Sequence, residues 1–206
     1  MLLPEMKRLL EEQAPGPRAS FTIAHVLYAL FLIDDIHVGR QKLAAGLSVG
    51  EGTARTLLRR LTLRGLIKAD RNGCHLTSKG KTLYDEVRGS FYLFKPRSEG
   101  FLGKTSCGVG VRGGGALANG LSERDQAVRA GADGAMTLVY RDGELVMPGL
   151  SNLSREYPDL AENVLKVVTP DPGDALVISW GRETGGVVYG ALSAAWALYE
   201  RLSTSG

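Results

Sequence analysis

An amphipathic helix signal over residues 48–61 constrains the fold of this 206-residue chain more than any other feature. Four apolar residues recur there at helical spacing, which places them on one stripe of a helix. The stripe consists of Ala54, Leu57, Leu58 and Leu61. Ser48 followed by Glu51 fits a capping box and predicts that the helix begins at Ser48. Gly65 is typical of the position just past a helix end.

A hairpin and another helix are predicted to follow this segment. Residues 66–69 form the first strand, and Asn72-Gly73 supplies the positive φ angles of a tight hairpin turn. Residues 74–76 return as the second strand, and residues 77–89 are predicted to be helical. The helices predicted upstream cover residues 4–13, 21–36 with Ser20 as the N-cap, and 39–46.

Two stretches of this region carry a family resemblance. The run LAAGLSVGEGTARTLLRRLTLRGLI, followed by LTSKGKTLYDEV, resembles the prokaryotic winged helix-turn-helix regulators over about residues 20–90. In that family the helix before the Gly-Leu-Ile strand enters the major groove, and the hairpin forms the wing. The resemblance therefore implies a winged-helix fold, a double-stranded DNA partner and binding as a homodimer.

The charge of the chain is divided between its two halves. Residues 1–96 hold 15 Lys and Arg against 9 Asp and Glu, a net of +6, whereas residues 97–206 hold 10 against 13, a net of −3. A basic half joined to an acidic half indicates that only the first meets a polyanion. With the polar, Pro- and Gly-containing stretch at 95–100, this predicts a winged-helix DNA-binding domain over 1–95. A glycine-rich α/β ligand-sensing or dimerisation domain is predicted over 96–206.

The exposed arc of the 48–61 helix holds the candidate DNA contacts. Arg55 and Arg59 lie one turn apart and reach guanine edges or phosphates, whereas Glu51 repels phosphate unless it accepts from a cytosine amine. The alternative is that Arg55, Arg59 and Arg60 form a solvated face that serves protein contacts. The 11 Lys and Arg against 4 Asp and Glu in residues 40–88 favour DNA. The predicted DNA-binding residues are Arg40, Lys42, Ser48, Glu51, Thr53, Arg55, Thr56, Arg59, Lys68 and Arg71.

The second half alternates strands and helices. Its order, β–α–β–β–α–β–α, predicts a mixed sheet with helices packed on it, an α/β or α+β sandwich. Ser122 is the candidate N-cap of the first helix, Asp142-Gly143 marks a hairpin, and Pro158 marks a first helical turn or a break. Residues 92–94 either cap the preceding helix or cross into this domain. The predicted strands cover residues 105–111, 136–140, 144–147 and 174–180, and the helices cover residues 122–130, 154–167 and 187–202.

Two strand-to-helix junctions in this half, 108–120 and 181–186, are rich in glycine. Backbone N–H groups approach an anion closely at such junctions, so we expect a small anionic ligand there. The alternative is that the glycines serve tight turns and close helix packing. The helix at 187–202 supplies either a dimer seam or part of the core. The candidate ligand-binding residues are Arg112, Gly113, Gly114, Gly115, Arg124 and Arg182.

We expect no catalytic residue, metal site or cofactor. Residues 98–105 depart from a P-loop at the first glycine and lead into a strand rather than a helix. Residues 108–113 fit G-x-G-x-x-G, but the first two glycines lie within a predicted strand, which is weak evidence for a dinucleotide. Residues 91–206 lack histidine and contain only Cys107, so a Ser-His-Asp or Cys-His site cannot form within that domain.

The cysteine and hydropathy patterns bear on the compartment. Cys74 and Cys107 neither staple the chain nor have metal-ligand spacing, which is typical of a reducing compartment. The longest apolar run, at 26–33, is too short to span a bilayer, and no signal peptide or lipidation motif is present. We therefore expect a cytoplasmic protein with no membrane contact.

The complete chain resembles a group of uncharacterised archaeal two-domain proteins, in which a winged helix precedes a glycine-rich α/β domain of unknown function. The resemblance rests on ERDQAVRAGADGAMTLVYRDGELVMPG, residues 123–149. The archaeal CTP-dependent riboflavin kinases also join a winged helix to a small domain, but that domain is a β-barrel. About 40 residues of predicted helix after residue 120 argue against it.

These patterns together predict a DNA-binding transcriptional regulator with a second domain that senses a small molecule or dimerises. The alternative is an enzyme, a small-molecule transferase or kinase-like protein, whose chemistry lies in the second domain and whose winged helix is an accessory. Salt-dependent duplex affinity carried by residues 40–88 would distinguish the regulator, and turnover after deletion of residues 1–95 would distinguish the enzyme.

Overall fold

In a computed structural model, the chain forms two compact units, Met1–Arg88 and Gly89–Gly206. Both units combine helices with antiparallel strands, which confirms the α+β class. No helix among the described residues is both long enough and apolar enough to cross a bilayer. The residues that the structure describes are 2–11, 21–35, 39–71, 73–96 and 105–204.

The first unit places four helices before a hairpin within its described residues and one helix after it. The predicted helices and the hairpin are confirmed over the described residues, while residues 12–13, Ser20, residue 36 and Asn72 lie outside them. Helix α2 is apolar on nearly all sides, and most of its length is buried. The elements are α1 Leu2–Glu11, α2 Ile23–Asp35, α3 Arg40–Gly46, α4 Glu51–Leu63, β1 Ile67–Asp70, β2 Gly73–Leu76 and α5 Ser78–Ser90.

The predicted start of α4 is wrong by three residues. The helix begins at Glu51 with Gly50 as its N-cap, and no side chain caps it. Ser48 instead ends α3, because its φ of 49° is left-handed. Its N–H bonds Ala45 O at 3.0 Å, and Val49 N–H bonds Ala44 O at 3.0 Å. Those are the two bonds of a Schellman motif, so Ser48 is needed to close one helix and cannot cap the next.

The end of α4 follows the prediction. Gly65 has a φ of 69°, and its N–H bonds Thr62 O at 2.8 Å. The next N–H, from Leu66, bonds Leu61 O at 2.9 Å. This second Schellman motif turns the chain sharply into β1, which places the hairpin beside α4.

The Leu-Thr-x-x-Gly sequence at the start of α5 has a structural explanation. The Thr77 hydroxyl accepts from Gly80 N–H at 3.0 Å and donates to Gly65 O at 2.6 Å, so it both caps α5 and ties the helix to the preceding turn. A Cβ at Gly80 would overlap the carbonyl of Leu66. The glycine therefore permits a close approach of α5 to the backbone before β1.

The second unit contains a sheet whose described strands lie in the order β3-β4-β8-β5-β6-β7. The predicted strands and the hairpin at Asp142-Gly143 are confirmed, and the predicted 154–167 helix breaks at Tyr157, before Pro158. Residues 92–94 cross into this unit as part of β3. The elements are β3 Phe91–Phe94, β4 Thr105–Val111, α6 Leu121–Arg129, β5 Gly134–Arg141, β6 Glu144–Met147, β7 Ser151–Asn152, α7 Leu153–Glu156, α8 Pro158–Leu165, β8 Ala175–Gly181 and α9 Thr184–Thr204.

The expectation of a mixed sheet needs correction. Every pair of neighbouring strands among the described residues is antiparallel. Strands β4 and β5 are parallel to each other and joined through α6, as the predicted β–α–β order requires, but β8 lies between them and pairs with both. Chain order alone does not show that a later strand enters the gap between two earlier ones.

Helices cover both faces of this sheet. Helices α6 and α9 pack on one face, where α9 buries Val187 to Leu192 and is part of the core. Helices α7 and α8 cover the other face through Leu153, Ala161 and Val164, which meet Leu138, Leu176 and Ile178 of the sheet. The small-residue helix is therefore explained by close packing within the unit.

The predicted N-cap of α6 is also wrong. Helix α6 begins at Leu121, and Gly120, with a φ of 77°, occupies the cap position. The Glu123 carboxylate accepts from Gly120 N–H at 2.7 Å and from Asn119 N–H at 3.1 Å. Glu123 is fully buried and also accepts a hydrogen bond from Arg201 of α9. Glu123 lies three residues after the cap position, and it stabilises the start of α6 in place of Ser122.

Candidate nucleic-acid interface

A cleft of about 510 Å³ opens in the first unit between α4 and the β1–β2 hairpin. Four arginines line it: Arg40 at the start of α3, Arg55 and Arg59 on α4, and Arg71 at the hairpin turn. We call this the arginine cleft. The rest of its lining is Gly39, Leu58, Thr62, Ala69, Asp70, Gly73 and Cys74. The fold thus brings together four of the predicted DNA-binding residues from three separate elements.

The cations of this surface face solvent. Arg40, Arg55, Arg59 and Arg71 are exposed, as are Lys42 on α3 and Lys68 on β1. Within the described part of the chain, none of the six forms an ion pair. Among the described residues that line the cleft, the one carboxylate is that of Asp70, which lies 3.6 Å from His75. The four arginines share the cleft, and exposed cations that share one surface without ion pairs are the electrostatic footprint of a polyanion-binding surface.

The remaining arginines of this region have structural partners. Arg60 is only 5% exposed, and its guanidinium donates to Leu9 O at 2.7 Å and Leu10 O at 3.0 Å. It also lies 5.0 Å from the ring centre of Phe21. Arg64, just past the end of α4, donates to Arg8 O at 3.4 Å. These residues place positive charge on the last carbonyls of α1, where the helix dipole is negative.

Arg60 therefore does not belong to a solvated face with Arg55 and Arg59. The sequence contained a signal for this, because position 60 lies three residues after Leu57 and adjoins the buried stripe on the helical wheel. Helix α4 thus presents Arg55 and Arg59 to the cleft and uses Arg60 to hold α1.

The other predicted contacts do not line the arginine cleft. Glu51 is exposed in the first turn of α4, and Ser48 is exposed in the turn before it. Thr53 and Thr56 are half-buried, and the Thr56 hydroxyl donates to Gly52 O at 3.0 Å. Lys68 does not line the arginine cleft. It lines a neighbouring groove on the hairpin with His75, Lys79 and Lys81.

The predicted ligand residues of the second unit do not come together. Strands β4 and β8 pair antiparallel, with Val111 opposite Ala175 and Thr105 opposite Gly181. Arg112 and Arg182 follow the far ends of these strands, so the two glycine-rich junctions lie at opposite ends of the pair, about 20 Å apart. One small ligand cannot contact both. Arg124, on the first turn of α6, pairs with its neighbour Asp125 at 3.1 Å.

Local contacts explain the first junction. Arg112 pairs with Asp171 at 2.6 Å and lies 5.0 Å from the ring centre of Tyr92. Asp174 is buried and accepts from the Tyr92 hydroxyl at 2.7 Å and from Gly113 N–H at 3.0 Å. Burial, together with this hydrogen bond, raises the pKa of Tyr92 far above its usual value.

The three consecutive glycines of this junction have distinct roles. Gly113 adopts a left-handed φ of 64°. A Cβ on Gly114 would press on Ala175 and Leu198, and Gly115 N–H bonds Gly173 O at 2.9 Å. They open a three-residue 3-10 turn rather than an α-helix. These contacts match the alternative of tight turns and close packing.

The G-x-G-x-x-G sequence also has a packing explanation. Gly108 and Gly110 lie inside β4, directly beneath the rings of Phe94 and Tyr92 on the neighbouring strand β3. A Cβ at either position would overlap the ring above it.

Burial raises the pKa of the adjacent Cys107 thiol to about 12, so the thiol is protonated at neutral pH. The residues that the structure describes in the P-loop-like stretch at 98–105 are limited to Thr105.

The fold and the arginine cleft define a two-domain α+β protein with a basic helical unit and an antiparallel sheet unit. Residues 22–82 match the family described as the PH0730-like N-terminal domain, and residues 102–198 match a domain of unknown function, DUF4443. The chain is 29% identical to the hypothetical protein PH0730 from Pyrococcus horikoshii OT3. The similarity covers 88% of this chain and 95% of that one, with a TM-score of 0.72. No functionally curated protein matches. These findings fit an uncharacterised archaeal two-domain protein.

Proposed function

We propose that the first unit is a winged helix-turn-helix domain that binds double-stranded DNA, and that the protein is a transcriptional regulator. The observation that carries the proposal is the arginine cleft, where four exposed arginines from three elements share one surface without ion pairs among the described residues. A surface that only keeps a protein soluble does not require arginines from three elements to come together. A surface that binds a phosphate backbone does.

The order and contacts of the elements support assigned roles. Helix α4 follows the short α3 through the tight turn at Ser48, and its Arg55 and Arg59 project on the side away from buried Leu57 and Leu61. In this role α4 enters the major groove and the two arginines contact guanine edges or phosphates. The hairpin acts as the wing, and Arg71 at its turn contacts the backbone or the minor groove.

The second unit is proposed to regulate this activity by sensing a small molecule or by supporting a homodimer. A dimer would place two α4 helices on paired half-sites about one helical turn apart. Sedimentation velocity of the full chain with and without duplex measures the stoichiometry directly. One protomer per site at saturation would contradict the dimer.

Duplexes selected from a random library, labelled and titrated by fluorescence anisotropy, test DNA binding. Arg55→Ala and Arg59→Ala should each weaken binding by about 1–3 kcal/mol while leaving the circular dichroism spectrum unchanged. Arg129→Ala is the matched control, since Arg129 is an exposed arginine of α6 in the other unit. Equal affinity of all three variants and the unmodified chain would remove the assignment.

The salt dependence tests the same surface without mutation. If about six phosphates are neutralised per dimer, log K should fall with log salt at a slope of about −5. Because a substitution removes the contact from both protomers, an arginine that contacts phosphate should make that slope shallower by about two when it is replaced, whereas one that contacts a base edge should leave the slope nearly unchanged. A slope near zero would mean that the basic unit serves another partner.

A further inference from the structure

A second cleft lies in the other unit, beside the part of strand β5 that has no partner strand on one side among the described residues. Strand β6 pairs with β5 only at residues 139–141, after which the chain turns away through Pro148 and Gly149. On that side, residues 134–138 of β5 have no partner strand among the described residues. A cleft of about 450 Å³ follows this open edge, and we call it the edge cleft. Its volume suits a small ligand.

The described lining of the edge cleft is mostly apolar, and its polar side chains are Asn119, Arg124 and Thr137. Met136, Met147 and Trp180 contribute apolar surface, and Met side chains adapt to ligands of varied shape. Thr137 also lines the cleft, and its hydroxyl is buried without a hydrogen-bond partner among the described residues. A buried hydroxyl without a partner costs free energy, and a polar atom of a ligand would satisfy it.

The charge around the edge cleft is positive. Arg124, on the first turn of α6, lines it, and its exposed ion pair with Asp125 is weak enough to exchange for a ligand. Past Pro148 and Gly149, a smaller adjoining cleft is lined by Arg141, which has no ion pair within the described chain. Among the described residues that line the two clefts, none is an aspartate or glutamate. The rest of this half is net negative, so the local sign favours an anion.

We propose that the edge cleft binds a small carboxylate with an apolar body, an aromatic or medium-chain aliphatic acid. The apolar body packs against Met136, Met147 and Trp180, and Arg124 holds the carboxylate. Leu150 and Leu121, which are 81% and 62% exposed, form the outer rim that such a ligand would cover. This inference does not rest on DNA binding, because the ligand is detected in the protein alone.

The chain offers its own reporter of binding. Trp180 and Trp196 are its two tryptophans, and only Trp180 lines the cleft. In a Trp196→Phe background, phenylacetate and octanoate should change the Trp180 fluorescence saturably. Isothermal titration of the unmodified chain with the same two acids gives the same answer if that substitution disturbs folding. Absence of saturable binding of both acids in both formats would overturn the proposal.

Substitutions in the edge cleft test the contact with the ligand's carboxylate separately from the packing against its apolar body. Arg124→Met should weaken phenylacetate binding about tenfold and change phenylacetamide binding by less than about twofold. Leu150→Glu should weaken the acids and Leu150→Lys strengthen them, whereas Val128→Glu, on exposed α6 surface outside the cleft, should do neither. Equal effects of Leu150→Glu and Val128→Glu would overturn the assignment.

Thr137→Val distinguishes a ligand contact from a packing defect. We expect it to raise the melting temperature of the unliganded protein, because it removes a buried unsatisfied hydroxyl, and to weaken the acids about threefold to tenfold. Unchanged affinity would contradict the role of Thr137 in binding. A dimer that Leu150→Glu dissociates in sedimentation would show that a second copy, not a small acid, covers the edge.

Discussion

Two adjacent arginines on α4 should have opposite phenotypes, and this is the sharpest test of how the first unit is built. Arg59 is exposed in the arginine cleft, whereas Arg60 is 5% exposed and binds the end of α1. We expect Arg60→Ala to destabilise the protein with little direct effect on DNA contact. Arg59→Ala should do the reverse.

The magnitudes follow from the contacts. Arg60 makes two hydrogen bonds from a charged donor, to Leu9 O at 2.7 Å and Leu10 O at 3.0 Å, each worth about 1.5–3 kcal/mol. Relief from burying the guanidinium offsets part of that loss. The net cost of Arg60→Ala is therefore about 3–4 kcal/mol in the free energy of unfolding. Arg59→Ala should stay within about 0.5 kcal/mol, as is usual for an exposed side chain.

Urea unfolding followed by circular dichroism measures the stability, and anisotropy with a selected duplex measures the binding. Arg59→Ala should lose about 5- to 150-fold in DNA affinity, the equivalent of 1–3 kcal/mol. Arg60→Met is the control that keeps the apolar stem, so it separates the hydrogen bonds from packing. Equal stability losses for Arg59→Ala and Arg60→Ala, or unchanged stability in the latter, would refute the reasoning.

Three further results are expected. Glu51→Gln should raise affinity for random duplex about twofold to fivefold by removing a repulsion of phosphate; a fall in affinity for the selected duplex alone would show that Glu51 reads a base. Gly80→Ala should cost about 3 kcal/mol or more because its Cβ would overlap backbone, whereas Gly52→Ala, in open helical space, should stabilise by about 1 kcal/mol in urea unfolding. Hydrogen bonds from α7 and β7 lower the pKa of Glu144, so its stabilisation is present above the ordinary glutamate pKa and lost as pH falls. The difference in stability between the unmodified chain and Glu144→Gln should therefore vanish in acid; a constant difference would contradict it.

Local chemistry made many elements of this fold predictable. The helix stripe at Leu57 and Leu61, the glycine at 65 and the Asp142-Gly143 turn each act within a few residues, so the sequence is enough to place them. Ser48 shows the limit of this approach. Its sequence context fits a capping box, but the same residue is also needed to end α3. In the structure Ser48 ends α3 and does not cap α4.

Features that depend on distant packing could not be predicted. Nothing local to β8 indicates that it pairs with both β4 and β5, and the separation of Arg112 from Arg182 follows from that pairing. The helical wheel places Arg60 beside the buried stripe of α4, but the partner that it finds there, the end of α1, depends on where α1 packs. The edge cleft depends on where β6 leaves β5, a feature of register that residues 134–138 do not encode by themselves.

The two glycines beneath aromatic rings in β4 restrict how the sequence can change over evolutionary time. Position 108 shares its space with the ring of Phe94, and position 110 shares its space with the ring of Tyr92. A single substitution that adds a Cβ at either glycine displaces an aromatic ring, and at 110 it also threatens the hydrogen bond of Tyr92 to Asp174.

Such positions change most readily in pairs. Among relatives we expect a larger residue at 108 only where position 94 is small, and the same relation between 110 and 92. In a chain that keeps both glycines with both rings, the packing of the strand pair is enough to explain the two glycines of the G-x-G-x-x-G spacing.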